Sequence, residues 1–191
     1  MNETQEATEH VLRTLCRLLS LEEDPMELRM RDNGEYVKWT ATPSSVAGPY
    51  LIGSGGRHVR ALQHLVRGFG DFAGVVHVLA FDDPREGPKR PWSDKKVNPD
   101  FDPEGLVKIL EDTLEALGVS QFRVETRRCG PTADGAVHHR IEVWVRTDED
   151  YKLLVATKEP DALSNVQAIG TIWRACASIA GGKVNVEVKK A

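Results

Sequence analysis

The residues with the clearest chemical character in this sequence are three glycines that precede a basic segment. They are Gly53, Gly55 and Gly56, in the run Leu-Ile-Gly-Ser-Gly-Gly-Arg-His-Val-Arg-Ala-Leu that starts at residue 51. Glycines let a backbone turn approach a ligand without interference from side chains, and the N-terminus of a following helix offers unpaired N–H groups and a partial positive charge. A phosphate group is the ligand that suits this combination.

The segment after the glycines predicts a helix from about Arg57 to Phe69 with one basic and one apolar face. At about 100° per residue, the basic face contains Arg57, Arg60, His64 and Arg67, and the apolar face contains Val59, Leu62, Val66 and Phe69. Residues 51–67 contain three arginines, two histidines and no acid, whereas residues 1–50 contain nine acids and five bases. Positive charge is therefore concentrated beside the turn, as salt-dependent binding to a phosphate backbone requires.

The elements that must position this turn fall into two halves. The stretch 82–100 contains four prolines and many charged residues with no apolar period, so it reads as a linker between residues 1–81 and residues 101–191. In each half the spacing of apolar residues predicts a helix, a β-hairpin, a second helix and a closing strand. If the short segment that ends at Ile52 is also helical, the first half has the order αββααβ, and the second half indicates the same order again.

The two halves also align with each other as an internal repeat. An offset of 107 residues places Val59 on Val166 and Gly74 on Gly181, while the first helices align with an offset of 95. The second half therefore carries twelve extra residues between its helices. The fold class predicted from the sequence is α+β, with helices packed on one face of a three-stranded sheet in each half.

The motif Ile52-Gly53-x-x-Gly56-x-x-Val59 in an αββααβ frame resembles the signature of KH domains of the bacterial type II fold. The likeness over residues 7–81 is greatest to small bacterial RNA-binding proteins of the KhpA type. The resemblance implies that Gly53, Ser54, Gly55 and Gly56 contact the phosphates of about four nucleotides of single-stranded RNA. It further implies that Arg57 and Arg60 neutralise these phosphates. We include His58, His64 and Arg67 of the same basic segment in the predicted RNA-binding set.

The second half lacks a glycine turn equivalent to Gly53–Gly56. The 107-residue offset places Pro160-Asp161-Ala162-Leu163 where the first half has its glycines, and Asp161 would repel phosphate. This half is therefore expected to be a degenerate KH-like domain without GxxG. We expect it to pack against the first half as an internal pseudo-dimer, drawn by complementary charge and anchored by Trp92 of the linker.

Composition narrows the remaining function classes. The chain has 191 residues, 28% of them charged, and a net charge of −4, so any binding to nucleic acid must be local. We recognise no membrane segment or signal peptide, no Cys-x-x-Cys pair, no Rossmann or P-loop pattern and no catalytic constellation. We therefore expect a cytoplasmic protein without cofactor, metal or enzymatic activity.

The alternative is a protein-interaction or scaffolding module that uses the KH fold without RNA. The resemblance implies a KH-family protein partner or self-association in addition to RNA.

Overall fold

The computed structural model describes residues 2–20, 23, 25–45, 47–81, 97–157 and 162–191. Residues 82–96, which include the proposed anchor Trp92, lie outside the described residues, as do Pro160 and Asp161. The elements of the first half are α1 (Glu3–Ser20), β1 (Met26–Asp32), β2 (Tyr36–Pro43), α2 (Gly48–Ile52), a 3₁₀ turn (Ser54–Gly56), α3 (Arg57–Ala73) and β3 (Val76–Phe81). Those of the second half are α4 (Glu104–Ala116), β4 (Phe122–Pro131), β5 (Val137–Val145), α5 (Asp148–Val155), α6 (Asn165–Ile179) and β6 (Lys183–Lys190).

Both halves have the predicted order αββααβ, and the fold is α+β with two three-stranded mixed sheets. In the first sheet β2 is central, antiparallel to β1 and parallel to β3. In the second sheet β5 is central, antiparallel to β4 and parallel to β6. The second β-hairpin is longer than the first, and a longer segment separates β5 from α6. These two places accommodate the extra residues of the second half.

Each sheet buries one face against helices. In β2 the side chains of Val37, Trp39 and Ala41 are buried, whereas Tyr36 and Lys38 point away from the helices. The same alternation follows from the side-chain period of two along a strand. The helices therefore lie on one face of each sheet, as predicted.

The helices of the two halves also pack against each other. Helix α1 packs against α4, and α3 packs against α6, so equivalent elements of the repeat are in contact. The buried apolar residues of both halves form one continuous core. Cys16 of α1 and Cys176 of α6 lie in this core, and burial raises the pKa of both thiols, that of Cys16 to about 12.

The basis of this packing differs from the one predicted. The sequence indicated attraction between the basic stretch 51–80 and the acidic stretch 101–150, but the contact between the helices is formed mainly by apolar side chains. An added methyl group at Gly68 would lie 2.6 Å from a side-chain carbon of Leu117, and one at Gly118 would overlap the ring of Phe72. Close approach of α3 to the turn after α4 at these two glycines, together with burial of apolar surface between the helices, therefore joins the halves.

The described end of the linker belongs structurally to the second half. The backbone N–H of Asn98 donates to the carbonyl of Gly181 over 3.0 Å. The ring of Phe101 is buried, packs edge-on to His139 and lies directly over Gly182. The described residues from about Asn98 onward thus pack against the second half.

Candidate nucleic-acid interface

The glycine turn connects the short helix α2 to α3. Pro49 lies in the first turn of α2, where a missing N–H costs nothing, so the proline is compatible with this helix. Gly53, Gly55 and Gly56 have φ angles of 70°, 62° and 72°, a backbone region that residues other than glycine rarely adopt. The sequence Gly-x-Gly-Gly is therefore what the backbone path requires.

The outer side of the turn is open. Ser54 and Gly55 are exposed, and a methyl group added to Gly55 would meet no atom within 4 Å. The guanidinium of Arg57 donates from Nε to the carbonyl of Ser54 over 3.3 Å, which holds its charge beside the turn. A ligand can thus approach the exposed backbone and a fixed positive charge together.

His58 supports the turn from its inner side. The ring is buried, and Nδ1 donates to the backbone carbonyl of Tyr50 over 2.7 Å. A methyl group added to Gly53 would lie 2.6 Å from Cγ of this ring. Among the residues that the sequence assigned to the site, His58 is therefore placed inward, where it ties α3 to α2.

The other basic residues of α3 lie along one exposed face, which we call the basic face. Arg57, Arg60 and Arg67 are exposed, and His64 is half-buried. The opposite face is buried against the sheet and the other helices through Ala61, Leu62, Leu65, Val66 and Phe69. At a rise of 1.5 Å per residue, the basic face extends about 15 Å from Arg57 to Arg67.

The corresponding place in the second half is built differently. Helix α6 starts with a capping box, in which Ser164 accepts from the backbone N–H of Gln167 and the Gln167 side chain accepts from the N–H of Ser164. Ala162 and Leu163, just before it, are half-buried. Its terminal N–H groups are thus partly satisfied within the chain, in contrast to the exposed turn before α3.

A feature that the sequence did not predict lies at the other end of the basic face. Arg67, Phe72, Lys152 and Leu163 are among the residues that line a cleft of about 460 Å³ between α3 and the α5–α6 region. The acidic run just before Lys152 was expected to be an exposed loop, but it forms the first turn of α5, and the local sequence gives no sign that Lys152 lies in this cleft. The cleft arises only from the packing of the two halves.

We expect substitution of Gly53 by alanine to destabilise the fold mainly through the ring of His58. A Cβ at this position would be strained by the positive φ and would lie only 2.6 Å from the ring. The free energy of unfolding should therefore fall by about 2 kcal/mol or more. In a His58→Ala background the ring is absent, and the same substitution should cost at least about 1 kcal/mol less. Urea denaturation of the four proteins of this double-mutant cycle measures the coupling, and additive free energies would contradict the proposed contact.

Neither protein-family models nor the sequences of curated proteins match the chain. In the described ranges, no helix is long and apolar enough to cross a membrane. Those same ranges contain no cluster of three or more His, Cys, Asp or Glu side chains arranged to hold a metal ion.

Proposed function

We propose that the protein binds single-stranded RNA as a KH-type module, through the turn Gly53–Gly56 and the basic face of α3. The observation that carries the proposal is an exposed, positive-φ glycine turn immediately before a helix with three exposed arginines. Backbone N–H groups at a helix N-terminus bind anions, and the glycines allow phosphates to approach them. No catalytic step is part of the proposal.

Several features of the fold support a strand of RNA as the ligand. Phosphate contacts alone carry little sequence information, so they suit a module that holds the backbone while the bases face a neighbouring groove. The αββααβ order is similar to that of the type II KH fold that the sequence resembles. The second half, with a capped α6 in place of the glycine turn, is proposed to be a KH-like copy that does not grip RNA by itself.

The proposal is tested by Arg57→Ala and Arg60→Ala, with Arg31→Ala as the matched control. Arg31 is an exposed arginine on the face of the first sheet that points away from the helices. We expect each of the first two variants to weaken RNA binding and to lower the slope of log K against log salt by about 0.7, because each removes one phosphate contact to a single strand. Fluorescence anisotropy of a labelled RNA pool at several KCl concentrations measures both quantities.

The control variant should bind like the wild-type protein at every salt concentration. A loss that is equal for all three arginines would indicate an effect of net charge rather than a site on α3. If Arg57→Ala and Arg60→Ala changed the preference among RNA sequences but left the salt slope unchanged, the two arginines would not contact phosphates.

A protein-interaction role has one observation in its favour. Tyr36, Val76 and Val78 are 37%, 53% and 41% exposed, and they lie on adjacent strands of the outer face of the first sheet. Exposed apolar side chains that are contiguous often mark a protein contact. Sedimentation velocity over a range of protein concentrations, with and without RNA, distinguishes self-association through this face from RNA binding.

A further inference from the structure

The cleft between the two halves begins where the basic face of α3 ends. Arg67 belongs to both, because it is exposed on the basic face and also lines the cleft. From Arg57 to Arg67 the distance along the helix is about 15 Å, which at 3.4 Å per nucleotide of a stacked strand corresponds to roughly four or five nucleotides. A strand held at the turn and following the basic face therefore arrives at the cleft.

The charges of the cleft favour a phosphate. Arg67 from α3 and Lys152 from α5 both line it, and both are exposed. Asp71 also lines it, and His64 adds a positive charge when protonated. Among the described lining residues, two permanent cations therefore face one carboxylate. The second cation comes from the half that lacks the glycine turn.

The cleft also offers an aromatic surface. Phe72 is 61% exposed, the highest value among the large apolar side chains described as exposed. One part of its ring lies against Gly118, and the ring is also among the groups that line the cleft. Exposed aromatic rings beside cations are the usual platform for unpaired bases, since every base has a flat face that can stack. A volume of about 460 Å³ is within the range of small-ligand pockets.

We infer that this cleft binds a further nucleotide of the RNA strand held at the Gly53–Gly56 turn, with the base stacked on Phe72 and a phosphate between Arg67 and Lys152. The inference rests on the proposed function. It assigns a role in RNA binding to the second half, through Lys152 of α5. The two halves then form one extended site, which neither half provides alone.

The test compares a four-nucleotide and a ten-nucleotide single-stranded RNA, measured by fluorescence anisotropy with the full chain. Lys152→Glu and Phe72→Ala should each lower affinity for the ten-nucleotide RNA about five- to tenfold and leave that for the four-nucleotide RNA unchanged. Phe72→Leu retains an apolar contact to Gly118 but offers no ring, so it should lose the same affinity without loss of thermal stability. Lys108→Glu, at an exposed lysine of α4, controls for the change in net charge.

The outcomes separate this inference from the proposed function. If substitutions in the glycine turn abolish binding of both RNAs while Lys152→Glu and Phe72→Ala behave like Lys108→Glu, the cleft is not part of the site and the inference is overturned. If the wild-type protein binds neither RNA, the proposed function fails and the inference fails with it. Equal losses for the short and long RNAs would also overturn it, because the cleft lies beyond the reach of four nucleotides held at the turn.

Discussion

Replacing both inner residues of the glycine turn by aspartate, Ser54→Asp with Gly55→Asp, is expected to lower RNA affinity at least about a hundredfold. Each carboxylate would stand at the exposed backbone where phosphates are proposed to bind. Two like charges about 4 Å apart repel each other by at least about 1 kcal/mol even in bulk water, and by more near a protein surface. Since every 1.4 kcal/mol is tenfold in affinity, a hundredfold loss needs about 2.8 kcal/mol, and two such repulsions near a protein surface, at up to about 4 kcal/mol each, exceed it.

The matched control is Ser54→Asn with Gly55→Asn, which has the same shape and the same backbone requirement without charge. Gly55 has a positive φ with open space around it, and aspartate and asparagine are the residues that best tolerate that conformation. Both double variants should therefore unfold within a few degrees of each other. Affinity is measured by anisotropy with the ten-nucleotide RNA, and a folded aspartate variant that binds as tightly as the asparagine variant would refute the RNA site.

Truncation of Trp173 to alanine is expected to destabilise both halves of the molecule, although the residue lies in the second. The side chain is fully buried in α6, and its Nε1 donates to the carbonyl of Leu106 over 2.8 Å. Loss of a buried tryptophan costs about 3–5 kcal/mol, which lowers the melting temperature of a chain of this size by roughly 10 °C. Because α6 packs on α3 within one continuous core, the first half should lose protection as well.

Hydrogen exchange followed residue by residue measures this effect. Amides on the buried face of α3, such as those of Leu62 and Val66, should exchange faster in Trp173→Ala by a factor similar to that for amides of α6. Trp173→Phe keeps a ring in the core and should show a much smaller change. Unchanged exchange on α3 in the alanine variant would mean that the halves unfold independently.

Local sequence patterns were sufficient to predict the order of elements, because each element carries its own periodicity. Val37, Trp39 and Ala41 alternate as a strand must, and the turn at Gly34 has the positive φ of a tight hairpin. The exposed glycine turn and the exposed arginines of α3 were likewise predictable, since they depend on the spacing of residues within one segment.

Positions that depend on packing between segments were not predictable. Helix α3 was expected to end near Phe69, but it continues to Ala73 through Gly68 and Gly70. An added methyl group at Gly70 would lie 2.4 Å from the carbonyl oxygen of Val75, so this glycine permits the helix to pass close to the segment that leads into β3. The burial of the His58 ring and the position of Lys152 in the cleft have the same origin in tertiary contacts.

The pairing of α1 with α4 and of α3 with α6 has a consequence for how the two halves can diverge. Contacts between equivalent elements are the arrangement of a two-fold symmetric dimer, in which the same patch meets itself. In a dimer of identical chains every substitution occurs twice, so a glycine turn cannot be retained on one side and lost on the other. When both copies belong to one chain, each position mutates once. An asymmetric molecule, with an open turn before α3 and a capped helix at α6, thus becomes accessible without loss of the shared core.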